Sequence, residues 1–92
     1  MDRKVLFVDD SASMRQVVGL AIERAGYKVT TAVDGQDGVS KLGTTRFDLI
    51  ISDVNMPNMN GIEFIRKVKT DTNNKFAPII MLTTESADEM KQ

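Results

Sequence analysis

The stretch Lys4-Val5-Leu6-Phe7-Val8, followed at once by Asp9-Asp10-Ser11, decides the fold of this chain. A run of apolar residues with no polar interruption is typical of a strand that is buried on both faces of a parallel sheet. The same arrangement recurs at Phe47–Ser52, which is followed by Asp53. Two buried strands that each end in acidic residues predict a parallel sheet with carboxylates at one edge.

Helical patterns alternate with these strands. Apolar residues at spacings of three and four predict a first helix, ended by Gly26, whose core face is Met14, Val17, Val18, Ala21, Ile22 and Ala25. A weaker second helix covers about residues 36–43, and a third begins after Asn60, where Glu63 completes a capping box. The predicted core positions of these two helices are Val39, Leu42, Ile62, Ile65 and Val68.

Two further strands complete the pattern. Lys28–Ala32 is short and β-branched, and Pro78–Leu82 is an apolar run predicted to be a buried strand, with proline at its first position, where it is tolerated. The order βαβαβαβ with short loops predicts one α/β domain with a parallel sheet and helices on both faces. Right-handed crossovers place the first and third strands side by side.

Composition narrows the possible functions. The 92 residues form one small globular domain, with 41% hydrophobic and 27% charged residues. The net charge of −1 and the few aromatic residues argue against a nucleic-acid binder. The chain has no cysteine and no histidine, so any metal must be held by oxygen ligands. Short apolar runs and the lack of a signal-peptide pattern predict a cytoplasmic protein without a membrane segment.

Three strands end in oxygen-bearing side chains that suit one metal–phosphate site. They are followed by Asp9-Asp10, by Asp53 and by Thr83-Thr84-Glu85. Ligands bind at the carboxyl ends of the strands in open parallel sheets. Three adjacent carboxylates repel one another, and a divalent cation relieves that repulsion. Magnesium, which uses a few carboxylates and a phosphate, is the predicted ion.

Each of these groups also has a purely structural interpretation. Asp9-Asp10-Ser11 is suited to cap the first helix, Asp53 to begin a turn, and Thr83 to serve as a turn or cap hydroxyl. The metal–phosphate interpretation is favoured because all three junctions fall on the same edge of the sheet.

These residues resemble a known family. Val8-Asp9-Asp10, the segment Ser52-Asp53-Val54-Asn55-Met56-Pro57-Asn58-Met59-Asn60-Gly61 and Met81-Leu82-Thr83 are similar to the receiver domain of two-component response regulators. The resemblance runs through the whole chain and is strongest to chemotaxis regulators of the CheY type. It implies a doubly wound, flavodoxin-like sheet in the order 2-1-3-4-5.

The resemblance also implies roles for individual residues. Asp53 would be the phosphoacceptor that takes a phosphoryl group from a sensor histidine kinase of the CheA type. Asp10, Asp53 and the backbone carbonyl of Asn55 would bind Mg²⁺, with Asp9 acting through water. Thr83 would contact the phosphoryl oxygens and report the phosphorylated state. A flagellar motor switch protein is the expected output partner, and the domain is a signalling phosphoprotein that does not turn over substrate.

The family pattern continues beyond what this chain contains. A fifth strand with its lysine, a switch aromatic residue and a fifth helix have no counterpart, and Lys91 follows a predicted helix start at Ser86-Ala87-Asp88-Glu89. Residues 1–92 are therefore predicted to be an incomplete receiver domain with strand order 2-1-3-4. Without a fifth strand, Pro78–Leu82 becomes an edge, which predicts a dimer or larger oligomer in which that strand, or the start of the fourth helix, meets a second copy.

Three other functions stay open on the sequence. A magnesium-dependent phosphatase of the haloacid-dehalogenase type also forms an aspartyl phosphate, but it needs a second acid where this chain has Asn55. A flavodoxin-like cofactor binder needs a phosphate loop where Asp9-Asp10 would repel the phosphate. An inactive structural fragment would show neither magnesium binding nor acyl-phosphate modification.

Overall fold

The computed structural model describes residues 3–43, 45–56 and 58–82. Its elements, in chain order, are β1 (Lys4–Val8), α1 (Ala12–Arg24), β2 (Lys28–Ala32), α2 (Gly35–Leu42), β3 (Leu49–Asp53), α3 (Gly61–Lys69) and β4 (Ile79–Leu82). The predicted order is confirmed, and most boundaries agree within one residue. β3 begins two residues later than predicted. The backbone N–H of Phe47 does not join the sheet ladder but donates to Asn74 Oδ1 at 2.7 Å.

The four strands form one parallel sheet in the order β2-β1-β3-β4. β1 lies in the middle and pairs with both β2 and β3, so that Val8 stands opposite Ala32 on one side and Ser52 on the other. β3 pairs in turn with β4 and brings Asp53 opposite Leu82. The predicted order 2-1-3-4 is confirmed, and within the described residues β4 is an outer strand.

One face of the sheet is covered by α2 and α3. The buried cluster on this face consists of Leu6, Val8, Ala32, Leu42, Phe47, Ile50, Phe64 and Val68. The prediction for α3 was partly wrong: Val68 is buried, but Ile62 is 50% exposed and Phe64 is buried instead. The spacing from Gly61 to Phe64 to Val68 follows the turn of the helix, and Ile62 lies off that inward stripe.

The other face of the sheet is covered by α1. The predicted core face of this helix is confirmed only in part. Met14, Val18 and Ile22 are half-buried, but Val17 is 67% exposed, and Ala21 and Ala25 are also exposed. An apolar groove of about 350 Å³ remains between α1 and the sheet, and its lining includes Val5, Val17, Ile22, Leu49 and Ile51. One helix is too narrow to cover this face.

The outer strand β4 is less buried than its apolar run predicted. Ile80 is 48% exposed, and Ile79, Met81 and Leu82 are only half-buried. A fully buried strand was therefore the wrong expectation for this position, because β4 has a described neighbour on one side only. The expectation that the strand becomes an edge is met within the described residues. No helix of the described chain is long and apolar enough to cross a membrane.

Candidate functional site

Three carboxylates meet at the carboxyl edge of the sheet. Asp9 and Asp10 follow β1, and Asp53 is the last residue of β3. β1 and β3 are neighbours in parallel register, so their ends coincide. One carboxylate oxygen from each residue lies within 4.8 Å of the other two. We call Asp9, Asp10 and Asp53 the acidic triad; the prediction that they converge is confirmed.

Asp9 is the most constrained member of the triad. It is buried, its Oδ1 accepts a hydrogen bond from the Ser11 backbone N–H at 2.9 Å, and its carbonyl oxygen accepts one from Arg15 Nη1 at 2.7 Å. Burial raises the pKa of Asp9, and the charges of Asp53 and Asp10 raise it further, against the lowering effects of the Ser11 hydrogen bond and the Arg15 charge. Ionisation of all three carboxylates therefore costs free energy unless a cation lies between them.

Asp53 is held by its immediate neighbours. It is buried, Ser52 Oγ donates to its carbonyl oxygen at 2.9 Å, and Asn55 N–H approaches its Oδ1 at 3.4 Å. A Cβ at Gly61 would lie only 2.5 Å from the same carbonyl oxygen. Glycine is therefore required at position 61 to let α3 start directly beside Asp53.

The donor set suits a hard divalent cation. Two of the three carboxylates are buried, and Arg15, whose charge acts on Asp9, donates its hydrogen bond to the Asp9 backbone carbonyl. Carboxylate and carbonyl oxygens are the ligands that magnesium and calcium prefer. Asn55 is exposed beside Asp53, so a ligand from its backbone is compatible with the fold. The acidic triad can therefore hold a cation that relieves its mutual repulsion.

Some predicted residues fall outside the described ranges. Thr83, with Thr84 and Glu85, lies there, as do Pro57 and the predicted helix start at residues 86–89. Their proposed roles stay predictions.

Other residues at the site were missed by the sequence reasoning. Arg15 gave no signal because its partner is a backbone carbonyl. Asp34 and Asn58, which bond to each other at 2.8 Å, are 24 positions apart, so no local pattern pairs them. Gly61 stood within the quoted motif, and its role beside Asp53 appears only once β3 and α3 are placed together.

Known proteins resemble this chain throughout its length. Residues 5–92 match the response regulator receiver domain family. The chain is 42% identical over 84 residues to chemotaxis protein CheY1 of Helicobacter pylori, covering 89% of this chain and 68% of that protein. It is 41% identical over 83 residues to a probable chemotaxis protein CheY of Rhizobium etli, covering 89% and 64%.

Solved structures give the same result. Chemotaxis response regulator CheY4 of Vibrio cholerae superposes with a TM-score of 0.87 at 52% identity, covering 100% of this chain and 77% of that one. The receiver domain of the sensor histidine kinase PA1611 of Pseudomonas aeruginosa, with a magnesium ion in its active-site cleft, superposes at 0.87 with 26% identity, covering 99% and 75%. The fold is therefore the flavodoxin-like α/β fold of CheY-like proteins, and the chain belongs to the response regulator receiver domain family, the phosphoacceptor signalling domain of two-component systems.

Proposed function

We propose that Asp53 is the phosphoacceptor of this domain and that the acidic triad binds Mg²⁺. The observation that carries the proposal is the meeting of three carboxylates within 4.8 Å at the carboxyl ends of two neighbouring strands. Asp10, Asp53 and the backbone carbonyl of Asn55 would hold the ion, with Asp9 acting through water. Bound magnesium would neutralise the negative charge that the triad and a phosphoryl group bring together.

The chemistry required of the protein is small. A carboxylate oxygen of Asp53 attacks the phosphorus of a phosphohistidine in the kinase; the P–N bond breaks, a P–O bond forms, and the histidine leaves. Phosphoryl transfer depends mainly on positioning and charge. The Ser52 hydrogen bond holds the Asp53 carbonyl, Gly61 leaves room for α3 to begin beside it, and Asp53 is buried. Thr83 would bind the transferred phosphoryl oxygens.

The same site is suited to a switch and not to turnover. A phosphatase that uses an aspartyl nucleophile needs a second acid to protonate the leaving group and activate water. Asn55, two residues after Asp53, can do neither, because an amide does not exchange a proton in this way. We therefore propose a long-lived aspartyl phosphate. Multiple turnover of small phosphomonoesters would favour the phosphatase instead.

Phosphorylation can be tested on the 92-residue chain directly. Acetyl phosphate with Mg²⁺ should add one phosphoryl group, measured by intact mass spectrometry, and beryllofluoride with Mg²⁺ should shift the amide NMR signals at the carboxyl edge. Asp53→Asn should abolish both effects. Glu23→Gln, an exposed carboxylate on α1, is the matched control and should change neither.

Modification that persists in Asp53→Asn would show that another residue is the nucleophile. Absence of both magnesium binding and modification in the unaltered chain would favour the inactive fragment.

The partners follow from the family and are part of the proposal. We propose a sensor histidine kinase of the CheA type as phosphoryl donor, a flagellar motor switch protein as output partner, and a role in chemotaxis in the cytoplasm. The names of the chemotaxis relatives support this assignment. Phosphotransfer from a purified CheA-type kinase, followed by radiolabel on this chain, tests the first step.

We also propose that this chain associates with a second copy through β4. The support is that β4 is the outer strand of the described sheet and that Ile80 is 48% exposed on it. Light scattering at micromolar concentration should show a dimer or larger species. Ile80→Lys should shift the mass towards the monomer, whereas Ile62→Lys, equally exposed on α3, should not. A monodisperse monomer of the unaltered chain would contradict this part of the proposal.

A further inference from the structure

We propose that Asp34 and Asn58 act as a positioning pair, which holds the loop between β3 and α3 over the acidic triad and thereby raises its affinity for a divalent cation. The described residues of this loop are 54–56 and 58–60, and Asn55 is among them. This inference rests on the proposed function of the triad and adds two residues that are neither metal ligands nor phosphoryl contacts.

The first observation is the backbone of Asn58. Its φ is 69°, and no other non-glycine residue of the described chain has a positive φ. Asparagine tolerates this left-handed conformation better than most residues, but a conformation of this kind persists only where surrounding contacts hold it. The Asn58 side chain supplies one such contact, because Nδ2 donates to Asp34 Oδ2 at 2.8 Å.

The second observation is that Asp34 is itself fixed. Its Oδ1 accepts from the backbone N–H of Asp37 at 2.8 Å, as the N-cap of α2. One carboxylate oxygen therefore caps the helix while the other anchors the loop. These hydrogen bonds lower the pKa of Asp34, the Asp37 contact more than the Asn58 contact.

A third observation places α2 directly against the loop. A Cβ at Gly35 would lie 2.6 Å from the carbonyl oxygen of Met59, so the two backbones approach as closely as glycine allows. The base of the loop is closed by the Gly61 N–H, which donates to the Val54 carbonyl at 2.9 Å. The loop is thus held at its base by α3 and at its tip by α2.

Asn55 lies between these two anchor points. Its N–H approaches Asp53 Oδ1 at a loose 3.4 Å, so this bond by itself does little to fix the residue. The anchors at Val54 and Asn58 limit the conformations that the Asn55 backbone can adopt. A carbonyl that is already in place loses less conformational entropy when it binds an ion. Groups that orient metal ligands typically contribute about 10–100-fold in affinity.

The test separates the side-chain link from the backbone. Asn58→Gly removes the amide while accepting the positive φ, so folding should be retained. Asp34→Ser keeps a good N-cap hydroxyl but removes the second carboxylate oxygen, which accepts from Asn58. Both variants should bind Mg²⁺ about 10-fold more weakly, measured by calorimetry and by the NMR shifts of residues 53–55. The double variant should lose no more than either single variant. Asn73→Gly, in an exposed position, is the matched control and should bind as the unaltered chain does.

The readouts distinguish this inference from the proposed function. In Asn58→Gly the pKa of Asp34, followed by carboxyl NMR, should rise, which shows that the bond is broken. If the pKa rises and Mg²⁺ affinity is unchanged, the positioning pair is wrong while the triad remains the cation site. If the unaltered chain does not bind Mg²⁺, the proposed function and this inference both fall. Equal losses of affinity in Asn73→Gly and Asn58→Gly would also overturn the inference.

Discussion

The two faces of the sheet are built from the same strands but are covered to different extents. On the face of α2 and α3, Ile50 and Phe64 are fully buried. On the face of α1, Val5 and Phe7 of the inner strand β1 are also buried, but Leu49 and Ile51 of β3 are only half-buried and Val17 is largely exposed. Adjacent residues of one strand point to opposite faces, so the hydrophobicity of β3 is nearly equal on both. The number of helices on each face makes the difference.

This difference assigns separate roles to the two faces. The face of α2 and α3 carries a continuous hydrophobic cluster, and Met56 and Met59 of the β3–α3 loop pack against it. The face of α1 leaves an apolar groove, which adds exposed surface and contributes less to stability. Stability and the geometry of the acidic triad should therefore depend mainly on the first face.

The largest expected effect is the contrast between Phe64→Ala and Val17→Ala. Loss of a fully buried phenylalanine should lower the free energy of unfolding by about 3–5 kcal/mol, because it leaves a cavity. Val17 is 67% exposed, and its truncation should change that energy by less than about 0.5 kcal/mol. Urea denaturation measures both. If Phe64→Ala does not fold, Phe64→Leu should show a smaller loss in the same direction; similar losses at both sites would contradict the comparison.

The next effect concerns Asn74, which holds the segment before β3 on the face of α2 and α3. It is buried, accepts from Phe47 N–H at 2.7 Å and donates to Thr45 O at 2.8 Å. Asn74→Ala leaves these buried backbone groups unpaired and should cost about 1–3 kcal/mol of unfolding free energy. Asn73→Ala, exposed beside it, should cost less than about 0.5 kcal/mol. Equal denaturation midpoints for the two variants would show that Asn74 does not anchor β3.

At the carboxyl edge of the sheet, a substitution of Asp9 should raise stability, whereas the substitutions above lower it. The raised pKa of Asp9 means that the folded chain binds its proton more tightly than the unfolded chain. The protonated form of Asp9 is therefore compatible with folding at low pH. Stability is lost as pH rises from 3.8 through the folded-state pKa, because the buried carboxylate must then carry its charge. In metal-free buffer, Asp9→Asn should melt at a higher temperature than the unaltered chain at pH 7, and the gain should disappear at pH 3. Saturating Mg²⁺ should reduce or reverse it. No gain at pH 7 without metal would contradict the prediction.

The smallest expected effect is a difference in pH dependence between the N-cap of α1, Ser11, and the N-cap of α2, Asp34. Ser11 accepts from Met14 N–H at 3.3 Å at the start of α1, and Asp34 caps α2. Ser11→Ala should cost about 1 kcal/mol of unfolding free energy at every pH, since a hydroxyl does not titrate in this range. The pKa of Asp34 is lowered, so its stabilisation is present above pH 3.8 and is lost as pH falls through the folded-state pKa. Melting curves of Asp34→Ala and the unaltered chain should therefore converge in acid; a pH-independent difference would exclude the charge of Asp34 as the cause.

Local patterns were enough to predict the elements and their order. Runs such as Val5–Val8 identified buried strands, and Asn60 with Glu63 identified the start of α3, where both hydrogen bonds of the capping box form. The convergence of Asp9, Asp10 and Asp53 also followed from the sequence, because parallel strands end at the same edge. These predictions depend on residues that are close in sequence or on a general rule of sheet topology.

Other features depended on which elements touch in the folded chain. Sequence spacing pointed Ile62 inward, but the angle at which α3 meets the sheet buries Phe64. The same kind of spacing pointed Val17 inward, although one helix cannot cover that face. The bonds from Asn74 to Phe47 and from Asn58 to Asp34 join residues 27 and 24 positions apart. The sequence by itself determined the type and order of the elements and the edge that carries the carboxylates. Only the tertiary structure decided which side chains are covered and which distant residues position the site, because burial and long-range hydrogen bonds exist only once the elements are packed together.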